Sequence, residues 1–173
     1  MVLNLQNRFD VGGYSDIFGN DDRVYKLYIS ATNPRCNHGR PHHLENELRK
    51  INFQSELEAW EIVSNREDIC ELTPIFYGKV QIQSVVDQQY KDISDLYLLD
   101  CCYSLEWIKG NAQKFDSVSW KYPEVIPRFH CAGIMYTIDM SVFIIEGKLK
   151  LIDFSTRDAY FETECEWLNN GRL

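Results

Sequence analysis

The segment from Val142 to Phe154 constrains the fold of this chain more than any other. Two short apolar runs, VFII and LKLI, flank the pair Glu146-Gly147, which is typical of a tight turn between two strands. The pattern predicts a β-hairpin whose second strand delivers Asp153 beside a bulky aromatic residue. A carboxylate at the end of a buried strand is costly unless a cation meets it. We therefore expect a positive partner for Asp153.

A second strand-rich segment lies near the start of the chain, over FDVGGYSDIFGNDDRVYKLYI (residues 9–29). Its glycines separate short apolar runs, and GNDD at 19–22 is typical of a turn. The RVYKLYI run that follows has a period of two and places Val24, Lys26 and Tyr28 on one face. A lysine between two apolar residues on one face is unusual, so Lys26 is a candidate functional residue.

Residues 43–64 have the composition and the spacing of a helix. Their apolar positions change phase in the middle, which predicts a break near Asn52 and hence two helices. The first stripe consists of Leu44, Leu48 and Ile51, and the second of Phe53, Leu57 and Trp60.

The rest of the chain alternates between strands and short helices. PIFYGKVQIQSVV and DLYLLDCCYSLEWI predict two strands separated by the polar DQQYKDIS, and EVIPRFHCAGIMYT predicts a short helix that ends near Gly133. Trp167 and Leu168 are expected to dock a last helical turn. The order of strands, helix, strands, helix and hairpin predicts an α+β fold with a mainly antiparallel first sheet.

Composition bounds the class of protein. The chain of 173 residues fits one domain or two small lobes, and 45% apolar residues are enough for a packed core. The net charge of −8 argues against a nucleic-acid binder, which needs a basic surface. No apolar run approaches the roughly 18 residues of a membrane span, and MVLNLQNRFD lacks the regions of a signal peptide. We expect a cytoplasmic protein.

The six cysteines show no CxxC spacing, which favours reduced thiols over a disulfide framework. Cys101 and Cys102 lie in an apolar run and are typical of small buried hydrophobes. The segment CNHGRPHH, with Cys36, His38, His42 and His43, offers zinc-type ligands. Without a second ligand pair, a polar loop is the preferred interpretation.

The order of these motifs resembles the protein-kinase-like fold over roughly residues 10–158. VGGYSDIF is similar to a glycine-rich phosphate loop, RVYKL to the strand that carries a phosphate-binding lysine, and FQSELEAWEIV to the helix that supplies its glutamate. KLKLIDFS is similar to the metal-binding Asp-Phe-Gly segment, with serine in place of glycine. The resemblance implies one domain with two lobes, about 1–100 and a reduced 103–173, which bind ATP between them.

The resemblance also implies a role for each candidate residue, and it answers the question of the cation beside Asp153. That cation would be Mg²⁺, held by Asp153 and bridging the nucleotide phosphates. Lys26 would bind the α- and β-phosphates and Glu56 would hold Lys26, with Glu47 and Glu58 as rivals. The backbone of Gly12, Gly13, Tyr14 and Ser15 would cover the phosphates, and the backbone of Asp100, Cys101 and Cys102 would meet the adenine edge.

The predicted catalytic loop departs from the family pattern. In GIMYTIDMSVFII, an ungapped alignment puts Ile138 at the catalytic Asp and Phe143 at the metal-binding Asn. A one-residue insertion instead puts Asp139 at the catalytic position, and neither alignment supplies an Asn. Two interpretations follow: a divergent kinase that uses Asp139 as the base, or a pseudokinase.

The segment after Asp153 is the second departure. Only FSTRDAYFETECEWLNNGRL follows, which is too short for an activation segment and the helices that present peptides. The chain thereby resembles minimal kinases of pathogenic bacteria or viruses, which act on one host protein in the host cytosol or depend on a partner. The implied activity is transfer of the γ-phosphoryl of ATP to Ser or Thr of a partner or host protein. The alternatives are an inactive pseudokinase that acts as a binding protein or decoy, and a small-molecule phosphotransferase, which usually carries an acidic helical insert that this chain lacks.

Overall fold

A computed structural model describes residues 1–36 and 39–172, and their fold is α+β, as the sequence predicts. Within these residues there are ten strands and four α-helices. In chain order they are β1 (Val2–Asn4), β2 (Arg8–Val11), β3 (Ser15–Asn20), β4 (Arg23–Ile29), α1 (His42–Ser64), α2 (Glu67–Cys70), β5 (Phe76–Lys79), β6 (Ser84–Val86), β7 (Tyr97–Glu106), β8 (Gln113–Lys114), α3 (Val125–Cys131), β9 (Ser141–Ile145), β10 (Lys148–Ile152) and α4 (Ala159–Asn169).

The chain forms two compact units. The first contains Met1–Phe53 and Tyr77–Trp107, and the second contains Gln54–Phe76 and the chain from Ile108 onward. The sequence predicts a single boundary near residue 100, so that each lobe would be one continuous stretch of chain. In the structure, the part of α1 beyond Phe53 groups with the later residues instead.

The first unit is built on a five-stranded sheet in the order β2-β3-β4-β7-β5, in which β2, β3, β4 and β7 pair antiparallel. Strand β4 explains why this sheet forms, because alternate residues enter the core. Leu27 and Ile29 are fully buried on one face. Lys26 and Tyr28 lie on the opposite face, where the Tyr28 ring meets Phe53 of α1 at 5.6 Å between centroids. The predicted alternation of β4 is confirmed.

The predicted strand PIFYGKVQIQSVV is wrong as one element. The structure divides it into β5 and β6, which belong to different sheets, and β6 pairs in parallel with β1. The division falls between Lys79 and Ser84, where Val80 and Ile82 still donate backbone hydrogen bonds to Cys102 and Leu99 of β7.

The predicted break near Asn52 is also wrong, because α1 is continuous. Its apolar positions change phase for another reason. Leu48 is fully buried in the part of α1 that belongs to the first unit, and Trp60 is buried in the part that belongs to the second. One helix thus contributes buried side chains to two cores, and the apolar spacing changes where α1 passes from one unit to the other.

The second unit contains a three-stranded sheet in the order β10-β9-β8. The predicted hairpin is confirmed: β9 and β10 pair antiparallel, and their register ends with Ile152 opposite Ser141. Glu146 and Gly147 both have positive φ, 50° and 78°, which is the geometry of a two-residue hairpin turn. Beside the hairpin, the ring of Phe154 packs between the side chains of Trp60 and Phe129, with centroids 4.6 and 5.1 Å away.

Helix α4 is longer than the single last turn predicted from the sequence. It begins after Asp158, whose side chain accepts a hydrogen bond from the amide of Phe161 at 3.1 Å and caps the helix. Trp167 is buried, as expected, but Leu168 is 62% exposed, so the prediction that Leu168 docks this helix is wrong. The two residues are neighbours in a helix and therefore point in different directions.

Of the described helices, none has both the length and the apolar run that crossing a bilayer requires. All six cysteines are free thiols. The described residues contain no group of three or more His, Cys, Asp or Glu side chains placed to hold a metal ion. His38 of the zinc alternative lies outside the described residues.

Candidate functional site

The end of the β9–β10 hairpin places Asp153 in an uncommon backbone conformation. Its φ is 62°, in the left-handed region that residues with a side chain seldom occupy. Such residues cost free energy and cluster at functional sites, where the surrounding structure holds them in place. The side chain is half-buried, so part of it faces solvent.

The residues that follow Asp153 hold it in this conformation. Phe154 is buried in the aromatic core of the second unit. The backbone of Ser155 exchanges two hydrogen bonds with that of Tyr136, both 3.1 Å long. Thr156 then contacts α1, with its hydroxyl 3.0 Å from that of Ser55 and its amide bonded to the Ser55 carbonyl at 3.2 Å. The three residues after Asp153 are therefore held by the aromatic core, by Tyr136 and by α1, all within the second unit.

Asp139 lies at the same end of the hairpin, because Ser141 pairs with Ile152. Its carboxylate accepts a hydrogen bond from the Tyr136 hydroxyl at 2.9 Å and lies 3.5 Å from the ammonium of Lys114. The Lys114 ammonium also donates to the Asp139 carbonyl at 3.0 Å. The Asp139 side chain is 62% exposed. The structure thus brings the two predicted carboxylates, Asp139 and Asp153, to one end of one hairpin.

The alternative alignment placed Ile138 and Phe143 at the catalytic Asp and the metal-binding Asn. Ile138 is 72% exposed in the turn before β9, and Phe143 is half-buried within that strand. Neither side chain has a group that could accept a proton or bind a metal. Among these positions, Asp139 is the one whose chemistry fits a base.

The predicted glutamates lie along α1. Glu56 is half-buried in the part of the helix that belongs to the second unit. Its rival Glu58 accepts a hydrogen bond from the Thr156 hydroxyl at 3.4 Å, and this bond links α1 to the segment after Asp153. The other rival, Glu47, lies in the part of α1 that belongs to the first unit.

Lys26 lies in the first unit, in the middle of β4. It pairs with Ile17 on β3 and with Tyr103 on β7, and its ammonium is 5.9 Å from the centroid of the Tyr103 ring. The side chain is half-buried. An ammonium that lies partly over an aromatic face is less hydrated than one in bulk water and is well suited to bind an anion.

The glycine-rich segment forms a tight turn between β2 and β3. The amide of Gly12 donates to the Ser15 carbonyl at 2.8 Å, so this amide is already used within the turn. Tyr14 contributes its carbonyl to Ile29 of β4, at 2.9 Å. Gly13 is exposed, and nothing lies within 4 Å of the position its Cβ would take. Of the predicted phosphate-covering residues, Gly13 therefore has the most open surroundings.

Two arginines that the sequence did not single out hold this turn. Arg35 donates to the Gly12 carbonyl at 3.2 Å. Arg49 of α1 is fully buried, donates to the Tyr14 carbonyl at 3.3 Å and pairs with Glu45 at 2.8 Å. The shape of the turn is thus set by side chains that lie outside it.

Asp16 is the second feature that the sequence did not reveal. Its carboxylate is fully buried at the start of β3 and pairs with Arg35 at 2.6 Å and with Arg8 at 3.2 Å. The Tyr97 hydroxyl donates to it at 2.8 Å. Burial, together with this hydrogen bond, raises the pKa of Tyr97 well above its usual range. This cluster lies beside the glycine-rich turn, because Arg35 bonds both to Asp16 and to the Gly12 carbonyl.

The predicted adenine contacts lie inside the first sheet. Cys102 pairs with Leu27 of β4, and its carbonyl accepts the amide of Val80 at 2.9 Å. Burial raises the pKa of the Cys101 thiol to about 12, and Asp100 beside it is exposed. Strand β7 continues to Glu106, so residues 100–102 do not end the first unit. The Cys102 carbonyl oxygen is therefore already used within the first unit.

The two glycines of the turn predict different responses to the same substitution. A Cβ at Gly12 would lie 3.1 Å from the Ser15 carbonyl oxygen, whereas a Cβ at Gly13 meets open space. We expect Gly12→Ala to lower the free energy of unfolding by about 1 kcal/mol. Gly13→Ala, its matched control, should be neutral or stabilise by about 0.5 kcal/mol through the unfolded chain. Urea unfolding of the two variants measures the difference, and equal stabilities would contradict the described turn.

No family model matches this chain, and no curated protein matches it.

Proposed function

We propose that this protein is an ATP-dependent protein kinase that transfers the γ-phosphoryl group of Mg·ATP to a Ser or Thr hydroxyl of a partner or host protein. The observation that carries the proposal is the hairpin end at Asp153. A half-buried carboxylate held in left-handed backbone, with a second carboxylate at the same end of the hairpin, is an arrangement suited to a divalent cation and a hydroxyl.

Each candidate residue has a role in this proposal. Asp153 binds Mg²⁺, which neutralises charge on the phosphates, and Lys26 binds phosphate oxygens. The kinase resemblance assigns to Glu56 the task of orienting Lys26. The exposed backbone near Gly13 covers phosphate. Together these roles would position the substrates and stabilise the negative charge that develops in phosphoryl transfer.

The chemical step balances without any further reagent. The oxygen of the substrate hydroxyl forms a bond to the γ-phosphorus as the bond from that phosphorus to the bridging β,γ-oxygen breaks, and ADP leaves. Asp139 accepts or orients the hydroxyl proton, which passes to solvent. Its exposed position allows the hydroxyl of a protein to approach.

One observation favours the alternative function, that of an inactive pseudokinase that binds a partner or host kinase. The carboxylate of Asp139 is already bonded to Tyr136 and lies beside Lys114. A base that already accepts a hydrogen bond and lies beside a cation, without a neighbouring Asn for a second metal, is a weaker catalyst. In that case the protein would act by binding alone, as a decoy or an effector in the cytosol.

Phosphoryl transfer from [γ-³²P]ATP in lysates of candidate host cells tests the two functions. We expect the wild-type protein to label a protein substrate, and Asp139→Asn to reduce labelling by about 100-fold or more. Asp116→Asn, at another exposed aspartate of the same unit, is the matched control and should label like wild type. If the wild-type protein binds Mg·ATP but labels nothing, the enzyme proposal fails and the binding function remains.

A further inference from the structure

Helix α4 carries apolar side chains on two opposite faces. One face buries Trp167 against the second unit. On the other, Phe161 is 64% exposed and Leu168 is 62% exposed, with the half-buried Cys165 between them. Their spacing of i, i+4 and i+7 places all three on one side of a helix. We call these three residues the α4 stripe.

Acidic side chains border the α4 stripe. Glu162 and Glu166 are exposed on one side of it and Glu164 lies on the other. The helix itself contains no Lys or Arg between Ala159 and Asn169. Glu162 lies 3.5 Å from Arg157, in an exposed pair that solvent screens. On α4 itself, the stripe is therefore an apolar strip bordered by acidic side chains.

We propose that the α4 stripe docks a basic amphipathic helix of a partner protein. Such a helix would bury its apolar side chains against Phe161 and Leu168 and place Lys or Arg opposite Glu162 and Glu166. Anchors at i, i+4 and i+7 are the pattern by which one helix packs on another. Complementary charge would guide the partner to this face and fix its orientation.

The charges on α4 argue against a second copy of this chain and against an anionic membrane as the occupant of the α4 stripe. In a symmetric contact between two copies, the glutamates of one α4 would face those of the other, and like charges across an interface cost free energy. The protein as a whole carries a net charge of −8, which adds to this repulsion. An anionic membrane would repel the same glutamates, because interfacial helices are rich in Lys and Arg on their polar face. A basic partner is the occupant that all of these charges favour.

The inference does not depend on the proposed phosphotransfer. A docking surface on α4 serves a kinase that must bind its substrate, and it equally serves a protein that acts only by binding. Its test uses no nucleotide, so its failure is distinct from a failure of the enzyme proposal.

Fluorescence anisotropy with synthetic peptides tests the proposal. The probe is an 18-residue amphipathic peptide of Leu and Lys, and its counterpart has Glu in place of Lys. We expect the basic peptide to bind the full chain with an affinity that falls as salt rises, and the acidic peptide not to bind. The double variant Phe161→Gln/Leu168→Gln should weaken binding at least tenfold. Glu162→Gln/Glu166→Gln should weaken it several-fold and reduce the salt dependence.

Matched variants distinguish binding at the α4 stripe from nonspecific hydrophobic or electrostatic binding elsewhere on the protein. Trp120→Gln removes another exposed aromatic side chain of the second unit, and Glu61→Gln/Glu124→Gln removes two exposed charges elsewhere. Both should bind the basic peptide like wild type, and all variants should keep the urea midpoint because the altered side chains are exposed. Equal binding by the wild type and the stripe double variant would overturn the proposal. So would a wild-type dimer that this variant dissociates, or binding to phosphatidylserine vesicles that this variant abolishes.

Discussion

Asp153→Asn is expected to abolish Mg²⁺-dependent ATP binding while the protein stays folded. Asparagine has nearly the shape of aspartate and is among the residues that tolerate left-handed backbone, so it fits a φ of 62°. The substitution therefore removes the charge and leaves the backbone. A divalent cation bound largely through one carboxylate and the phosphates loses its main protein ligand. We expect the affinity for Mg·ATP to fall at least 100-fold and the free energy of unfolding to change by less than about 1 kcal/mol.

Asp21→Asn is a closely matched control. Asp21 also has left-handed backbone, with a φ of 54°, and lies in an exposed turn between β3 and β4. The same substitution there removes the same charge from the same kind of backbone without touching the hairpin end. Thermal shift and a fluorescent ATP analogue, each with and without Mg²⁺, measure the response. A variant at position 153 that unfolds would show that Asp153 has a structural role, and one that binds Mg·ATP like Asp21→Asn would show that Asp153 does not hold the metal.

Asp16→Ala is expected to be among the most destabilising substitutions in the first unit. Its carboxylate is fully buried between Arg8 and Arg35, each about one-third exposed, and it accepts the Tyr97 hydroxyl. Removing it leaves two guanidinium groups facing each other and a buried hydroxyl without its acceptor. Breaking a buried pair from one side costs about 3 kcal/mol, at the low end of the usual range because the arginines are partly solvated.

Urea unfolding of Asp16→Ala and Asp22→Ala tests this expectation. Asp22 is 82% exposed and has only a long contact of 4.0 Å with Arg23, so its removal should change stability by less than about 0.5 kcal/mol. A double-mutant cycle with Arg35→Ala should give a coupling of at least about 1 kcal/mol. A loss at Asp16 no larger than that at Asp22 would mean that the buried cluster contributes little.

The elements with a clear local pattern were predictable from the sequence. The hairpin was identified because two apolar runs flank a Glu-Gly turn, and the backbone of Glu146 and Gly147 has the geometry that such a turn needs. The alternation around Lys26 likewise follows from a strand whose side chains alternate between the two faces of the sheet. In both cases residues close in sequence determine the structure.

The features that depend on distant residues were not predictable in this way. Asp16 follows a glycine-rich segment and has the sequence context of a turn residue, while its partner Arg35 lies 19 positions away in an irregular segment without periodicity. The expected break in α1 failed for a related reason, since one sequence cannot show that a helix serves two cores. Neither could the sequence show that β7 continues past Cys102, because an apolar run does not mark where a strand ends.

The two arginines that hold the glycine-rich turn bear on how relatives of this chain could be recognised. Arg35 and Arg49 hydrogen-bond to the carbonyls of Gly12 and Tyr14 from outside the turn. The conformation of the turn therefore does not depend on its glycines alone. A diverged relative could exchange those glycines for other small residues and still form the same loop. We then expect relatives to keep an aspartate at the start of β3, one arginine in the segment between β4 and α1, and another arginine in α1.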